Sequence, residues 1–559
     1  MNFFSYSRKV ENLLDGTQNT KENYQARRIF IKDPEKRKAT FAKYYNRITL
    51  NEKWIFYESM GGMRMMDNPY AIFKQVYEDK RFKDYIHVWS IATHGTIPEE
   101  YRDKSNILFV TRNTDMYMRA IATAKYIVCN SVLPEYFVPK PEQKYLNTWH
   151  GIAYKGIGRS ELSPLGPMGT IYNMLEATHV LTPCDFMTQK QLEGFSMHGV
   201  YSGEIAEIGY PRIDTTINAS EQEKKQIRHI LRIDPRKKVV LYAPTWRGDM
   251  RTRKFDTDTL TKDLKALAGV DANIIFMGHH LMLKHTKGLD FGNLIIPPSS
   301  INTNALLSVV DVLITDYSSI FFDFLVTGRP IIHYLYDYKE YKTERGLNLD
   351  KSELPGIVTQ TTSGLIALVE EYLATSYSPT KKYLAARKRF CSHEDGRASE
   401  RAVNWFLKDN TAGINIIPKD AKKSIVFWGG ALNKTENATE YLQQVQEQVN
   451  KGDKVVVLII ARSVVKRPEI MSTIRSFGFD VTIIARGDDT MVATKTEKMA
   501  RQLIEHGIRG WGRVPFVRGA YVRIYKREYR RILGNARFDE IVVYPKCSRF
   551  WKELVKYAS

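Results

Sequence analysis

Short apolar runs recur along this chain, each followed by a stretch with helical spacing, and that alternation limits what it can fold into. From Lys53 onward the runs are WIFYES, YIHVWSI, NILFV, YIVCN, KYLNTWH, HVLTP and IAEIGYP. Alternation of this kind predicts parallel strands joined by helices, a Rossmann-like lobe. A second series follows the charged segment EQEKKQIRHILRIDPRKK and reads VVLYAPTW, NIIFMGHH, NLIIPP, VDVLITDYSS and RPIIHYLYD. A third begins after NTAGINIIPKDAKK, with KSIVFWGG, KVVVLIIA, DVTIIARG and EIVVYP separated by helical patterns. The expected fold is α/β, with two Rossmann-like lobes facing a cleft and a third Rossmann-like unit at the C-terminus. The expected boundaries are a basic lead-in over 1–45, a first lobe over 46–215, a second over 216–412 and a C-terminal unit over 419–559. At 559 residues and 43% hydrophobic content the chain can fill several cores. In such folds ligands bind outside the carboxyl ends of the strands, so function is expected at strand-to-loop junctions.

The formal net charge of +21 suits a partner that carries phosphate: a nucleic acid, an anionic membrane face or a polyanionic substrate. From Lys419 onward there are 27 Lys and Arg against 15 Asp and Glu, so the C-terminal segment supplies more than half of that charge. Cys129, Cys184, Cys391 and Cys547 stand far apart with no CxxC spacing, which encodes neither a disulfide framework nor a zinc site and fits a reducing cytoplasm. The first residues, MNFFSYSRKVENLLDG, lack the apolar core of a signal peptide. No apolar stretch reaches the roughly 18 residues that span a bilayer, so any membrane contact is expected to be peripheral.

Several strand ends carry chemistry-bearing side chains. KYLNTW ends at His150-Gly151, followed by IAYKGIG with Lys155, which puts an imidazole suited to proton abstraction at the mouth of the cleft. VVLYAP ends in Thr245-Trp246-Arg247, where a guanidinium fork can grip phosphate oxygens. NIIFMG delivers His279 and His280; adjacent strand residues point to opposite faces, so a shared metal is not expected. VDVLITDYSSIFFDFLVTGRP ends its strand at Thr315-Asp316-Tyr317 and places Ser318-Ser319 where a helix begins. Free N–H groups at that first turn, with the serine hydroxyls, would seat a pyrophosphate. Asp316 reads equally as a structural residue or a ribose contact. In the C-terminal unit, Gly429-Gly430 between a strand and a helix reads as an ordinary βα turn or an anion site, and RGWGRVPFVRGAYVRIYKREYRR as a solvated basic helix or a surface for phosphate-rich partners.

In order and at sensible spacing, YESMGGMRMMDNPYAIF, ATAKYIVCNS, NTWHGIAYKGIG, IAEIGYPRID, VVLYAPTWRGD, TDYSSIFFDFLVTGRPIIHYLYDYKEY and FCSHEDGRASERA resemble the CDP-glycerol glycerophosphotransferase family, the teichoic-acid primases and polymerases, over roughly residues 50–410. The resemblance implies a GT-B-like fold and transfer of glycerol phosphate from CDP-glycerol to the hydroxyl of a teichoic-acid or capsule-type polymer, with release of CMP. A CDP-ribitol donor, or a GT-B sugar-nucleotide glycosyltransferase, is the alternative. On that resemblance 46–215 is the acceptor side and 216–412 binds the donor. His150 matches the general base and His280 a second catalytic histidine that touches the donor phosphates. Thr245, Arg247, Asp316, Ser318, Ser319 and Arg345 fall on the donor side, and Gly151 and Lys155 on the acceptor side. The chain departs from the family at Gly278, where an arginine is common; Lys284 or Arg345 is expected to compensate.

No metal site and no cofactor are expected beyond the CDP-alcohol donor, although magnesium brought by the nucleotide is compatible with the inventory. The other expected partners are a phosphate-containing polymer or lipid-linked acceptor and an anionic membrane surface, with nucleic acid not expected and the oligomeric state left open. The expected location is the cytoplasm, peripheral on the inner face of the cell membrane. The 419–559 unit looks like half of a glycosyltransferase with no matching second half, which fits an accessory domain or a truncated chain.

Overall fold

The computed structural model describes residues 30–557 apart from 94, 161–164, 166, 248–255, 279–281, 283–293, 421–422, 431–434, 488–489, 508–509 and 545–546. The apolar runs become three sheets. The eight-stranded sheet runs from edge to edge through Asn415–Ile416, Glu204–Glu207, His179–Thr182, Lys144–Asn147, Ala124–Cys129, Asn51–Glu58, Ile86–Ser90 and Ile107–Val110. Its neighbours are parallel except at Asn415–Ile416, which pairs antiparallel with Glu204–Glu207. A six-stranded parallel sheet follows the order Leu294–Ile295, Asn273–Phe276, Val239–Ala243, Val312–Thr315, Ile331–Tyr334 and Ile357–Thr359. A four-stranded parallel sheet follows the order Val481–Arg486, Lys454–Ile460, Ser424–Gly430 and Glu540–Val543.

The basic lead-in contributes the helix Pro34–Arg47, capped by Asp33, whose carboxylate accepts from the N–H of Glu35. After the six-stranded sheet the chain returns to the first one. The helix Ala398–Lys408 packs on helices Asp67–Glu78 and Pro211–Ile217, and Asn415–Ile416 then joins the edge of the eight-stranded sheet. The start of this returning helix is held by Asp214, whose two carboxylate oxygens accept from the N–H groups of Ala398 and Ser399 at 3.0 and 2.7 Å.

The four-stranded sheet does not hang free. Its side strands share one continuous apolar core with the eight-stranded sheet, from Trp54 and Tyr145 through Phe195 to Val457, Ile483 and Trp551. Its edge strand, Val481–Arg486, would otherwise show a row of unpaired carbonyls. Alternate carbonyls are taken by the first part of the chain: Arg159 donates to Val481 O (2.8 Å), Ser196 to Ile483 O (2.8 Å) and Tyr172 to Ala485 O (2.8 Å).

The helix Pro515–Leu533 departs from the solvated basic helix that is one of the two readings of its sequence. Tyr521, Ile524, Tyr525, Ile532 and Leu533 are buried, and so are Arg527 and Arg531. Arg527 forks onto Glu497 with two 2.9 Å bonds, and Arg531 forks onto Glu528 with two 2.8 Å bonds. Gly429 has a packing reason to be glycine. Its φ is +89°, and a Cβ there would lie 2.6 Å from Cys547 Cβ and 3.1 Å from Trp551 Cβ.

Candidate active site

The carboxyl ends of the eight-stranded and six-stranded sheets meet around the loop after Lys144–Asn147. Asn147 turns that loop by accepting from the N–H of Trp149 at 2.9 Å, and Trp149 takes a left-handed conformation with φ of 51°. That conformation is costly for a bulky residue and persists only where its surroundings enforce it. His150 Nδ1 lies 2.9 Å from the carbonyl of Asn130. A carbonyl only accepts, so Nδ1 carries the proton and Nε2 keeps its lone pair. Burial pushes the His150 pKa below the ordinary imidazole value, with Asp67 opposing and Arg212 assisting that shift. The ring is therefore neutral and basic at neutral pH.

The segment after His150 is pinned to the second sheet's unit. Asn348 Nδ2 donates to the carbonyls of Ala153 and Lys155, both at 2.8 Å, and its N–H donates to Tyr154 O at 2.9 Å. Gly151 faces the Ser318-Ser319 turn so closely that a Cβ would sit 2.8 Å from Ser319 Oγ. Ser319 stands at the start of the helix Ile320–Phe324, and its side chain makes no capping bond there, while Ser318 Oγ accepts weakly from Ile320 N–H at 3.4 Å. The helix is short, so what faces Gly151 is the Ser319 hydroxyl at the start of a single turn.

Arg247 does not project into the cleft as its position past a strand end predicts. It bonds Asp337 through Nε (2.5 Å) and Nη2 (3.1 Å), and Asp316 through Nη1 (2.8 Å). A further bond from Nη1 reaches the Thr245 carbonyl. The rings of Tyr317, Tyr336 and Tyr341 surround the guanidinium at 5.0 to 5.2 Å. Burial works against its charge, but Asp316 and Asp337 outweigh that and raise its pKa above the ordinary value. Asp316 is only 2% exposed and also accepts from the N–H groups of Thr245 (2.9 Å) and Tyr317 (2.6 Å). Its carboxylate thus braces the strand ends, the structural role that is one of the two readings of the sequence. Thr245 Oγ1 is buried and has no hydrogen-bond partner among the described residues.

Lys155 joins the two sides electrostatically. Burial pushes its pKa down to about 8, with Asp316 opposing and Arg345 and Arg247 adding to the shift. Arg345, in the last turn of the helix Tyr338–Arg345, lies over the Trp246 ring at 5.6 Å. His280, His279 and Lys284 lie outside the described residues. Gly278 has its own packing reason: a Cβ there would lie 2.6 Å from the Phe276 ring, so an arginine would have to displace that ring.

Sequence reasoning missed the residue that joins this site together. Arg212 donates from Nη1 to Asp67 (3.1 Å) and to the carbonyl of His150 (2.8 Å), and from Nη2 to Asp323 (2.9 Å). Asp323 belongs to the helix that starts at the serine turn, and Asn304 also donates to it at 3.1 Å. One buried guanidinium thereby links the histidine loop to the serine turn. Its only trace in the sequence is the segment IAEIGYPRID, because its partners lie far away along the chain.

A profile of the family described as CDP-Glycerol:Poly(glycerophosphate) glycerophosphotransferase matches residues 40–408. A teichoic acid poly(glycerol phosphate) polymerase of Bacillus subtilis (strain 168) is 30% identical over 380 residues, 65% of this chain and 50% of its own length. A teichoic acid glycerol-phosphate transferase of Staphylococcus aureus (strain NCTC 8325 / PS 47) is 30% identical over 381 residues, 64% of this chain and 94% of its own. The chain thus spans about half the length of the first of these relatives and nearly all of the second. Among solved structures, the wall teichoic acid polymerase TagF aligns with a TM-score of 0.57 and 27% identity over 67% of this chain and 93% of its own.

Proposed function

The chain belongs to the CDP-glycerol:poly(glycerophosphate) glycerophosphotransferase family, and from that membership we propose that it moves glycerol phosphate from CDP-glycerol onto the hydroxyl of a teichoic-acid or capsule-type polymer and releases CMP. The observation that carries the reading is the meeting of the His150 loop with the Ser318-Ser319 turn, where Gly151 has room for no side chain beside Ser319 Oγ. An acceptor-side base and a donor-side anion seat then face each other.

On this reading the eight-stranded and six-stranded sheets act as the two lobes of a GT-B-like enzyme, 46–215 on the acceptor side and 216–412 on the donor side. The four-stranded sheet in 419–559 is a third, accessory domain. His150 takes the proton of the acceptor hydroxyl at Nε2 while Asn130 holds its Nδ1–H. The hydroxyl oxygen attacks the donor's β-phosphorus, the bond from that phosphorus to the bridging oxygen breaks, and CMP departs with the electron pair. Ser318, Ser319 and Thr245 Oγ1 supply donors to the phosphates, and Lys155 and Arg345 supply cationic charge. Arg247 and Asp316 act as positioning residues that hold Thr245 and the serine turn in register. His280 completes the donor side as a second catalytic histidine.

Glycerol is favoured over ribitol as the donor alcohol. Glycerol-phosphate polymerases and a glycerol-phosphate transferase are 30–31% identical, against 25–28% for ribitol-phosphate relatives and 25% for a glycerol-phosphate primase. No helix among the described residues is long and apolar enough to cross a membrane, which is compatible with an enzyme that sits at the cytoplasmic membrane face and reaches a lipid-linked acceptor.

The test is a donor screen with CDP-glycerol, CDP-ribitol and UDP-sugars, reading the nucleotide released and the product length by mass spectrometry. CMP release with CDP-glycerol and products extended by glycerol phosphate units are expected. UDP release alone, or no CMP from either CDP-alcohol, would overturn the reading.

A further inference from the structure

The helix Pro34–Arg47 and the C-terminal unit form the walls of a groove of about 950 Å³ that the transfer chemistry does not use. On one wall Lys36, Lys43 and Arg47 share a helix face with the small residues Ala39 and Thr40, the spacing expected of a single stripe. On the other wall stand Lys495, Lys498 and Arg523. The acids in the lining are already committed: Asp33 caps the helix, and Glu35 is held by Lys498. Lys36, Arg47 and Lys495 are exposed and make no hydrogen bond or ion pair among the described residues. The groove is also preformed. Asn46 donates to Glu497 at 2.9 Å and accepts from Arg527 at 2.6 Å, and Arg530 donates to Tyr45 OH at 3.0 Å, so the walls are fastened together beneath it.

We propose that this groove binds a linear phosphodiester chain of small polyol units, the growing polymer of the reaction proposed above, on which this inference rests. Concentrated uncompensated positive charge draws a polyanion. The shape favours a flexible strand over a bilayer, because a flat headgroup layer touches only the rim of a concavity. The lining favours a polyol phosphate over a nucleic acid. Single-stranded nucleic-acid sites stack bases on aromatic platforms, and this lining offers one aromatic residue, Phe516, among small polar floor residues such as Thr40, Asn46 and Thr496. The groove joins the residues at the start of the family match to the unit beyond its end. In this way the accessory unit retains the product between successive additions.

The test uses the full chain and a variant with Lys36→Gln, Lys43→Gln, Arg47→Gln and Lys495→Gln, all exposed positions outside the transfer site. A second variant, Ala39→Trp, plugs the floor without changing charge. Binding is measured to labelled poly(glycerol phosphate), inorganic phosphate, vesicles of phosphatidylglycerol or phosphatidylcholine, and single-stranded DNA, together with CMP release from CDP-glycerol on a short acceptor. Both variants should bind the polymer at least tenfold more weakly, with vesicle binding and the KM for CDP-glycerol unchanged. Unaltered polymer affinity in the variants, or no polymer binding by the natural chain, overturns the proposal. Loss of vesicle or DNA binding with polymer binding intact overturns it in favour of that other partner. A chain that binds polymer through the groove but releases no CMP from any CDP-alcohol would sink the proposed reaction and leave the groove standing.

Discussion

The eight-stranded sheet has two neighbours and shares a buried apolar core with each, but the margins of the two seams differ. Towards the six-stranded sheet an apolar core runs from Ile55 and Leu146 through Tyr154 to Leu313 and Phe321, and its margin is polar: Arg212 forked between Asp67 and Asp323, Asn348 holding loop carbonyls, and the Ser319 hydroxyl facing Gly151. Towards the four-stranded sheet the seam is a shared apolar core, closed at its margin by buried ion pairs and by side chains that cap the edge strand. Removing apolar surface from water contributes roughly 25 cal/mol per Å² and is non-directional, so both seams draw cohesion from their cores. Hydrogen-bonded polar seams contribute less net stability, but they fix positions and leave groups able to exchange partners for a ligand. The difference at the margins assigns chemistry to the first seam, while both cores anchor.

The largest effect that would sharpen this contrast is expected at the seam with the four-stranded sheet. Arg527→Ala removes the two charged hydrogen bonds that hold Glu497, a carboxylate only 1% exposed. Breaking a buried pair by removing one partner costs about 3–5 kcal/mol. Thermal and urea unfolding should show a loss of that order, while the KM for donor at temperatures well below the transition stays near that of the natural chain. A variant that melts normally would mean that this buried pair adds little to the stability of the seam's margin.

Asn348→Ala should do the reverse. It deletes two side-chain bonds to the loop after His150, a local cost of about 1–3 kcal/mol. Global unfolding should move little, and CMP release should fall through a higher acceptor KM. An equal loss of stability and activity would show that these margin bonds carry stability as well as position.

The smallest effect is in pH. A base must be unprotonated to act, and burial holds the His150 pKa below its ordinary value of about 6.5. The acidic limb of kcat/KM is therefore expected below that value, so that activity persists into mildly acidic buffer and falls as pH drops through the depressed pKa. An acidic limb above 6.5 would contradict the burial of the ring.

Much of this contrast was legible in the sequence, and some of it was not. The strands were, because an apolar run of four to eight residues has few other fates: Ala124–Cys129, His179–Thr182 and Val312–Thr315 form where YIVCN, HVLTP and VDVLIT predict them. His150, Gly151, Ser318 and Ser319 were placed correctly at strand ends because loop positions follow from strand ends. Arg212 was not found, since its carboxylates lie 145 and 111 residues away and nothing local marks the match. Arg247 was expected to reach for phosphate, but sequence says nothing of Asp337 and three tyrosines enclosing it. The basic helix Pro515–Leu533 looked solvated because part of its charge is spent inward, on Glu497 and Glu528, and composition cannot distinguish a paired arginine from a free one.

The most direct test of the chemical seam is the rate of CMP release from CDP-glycerol by His150→Ala, with matched melting curves for the variant and the natural chain. General-base catalysis contributes about 10²- to 10⁴-fold, so a loss of at least a hundredfold in kcat with an unchanged melting temperature is predicted. CMP release at the natural rate would contradict the account.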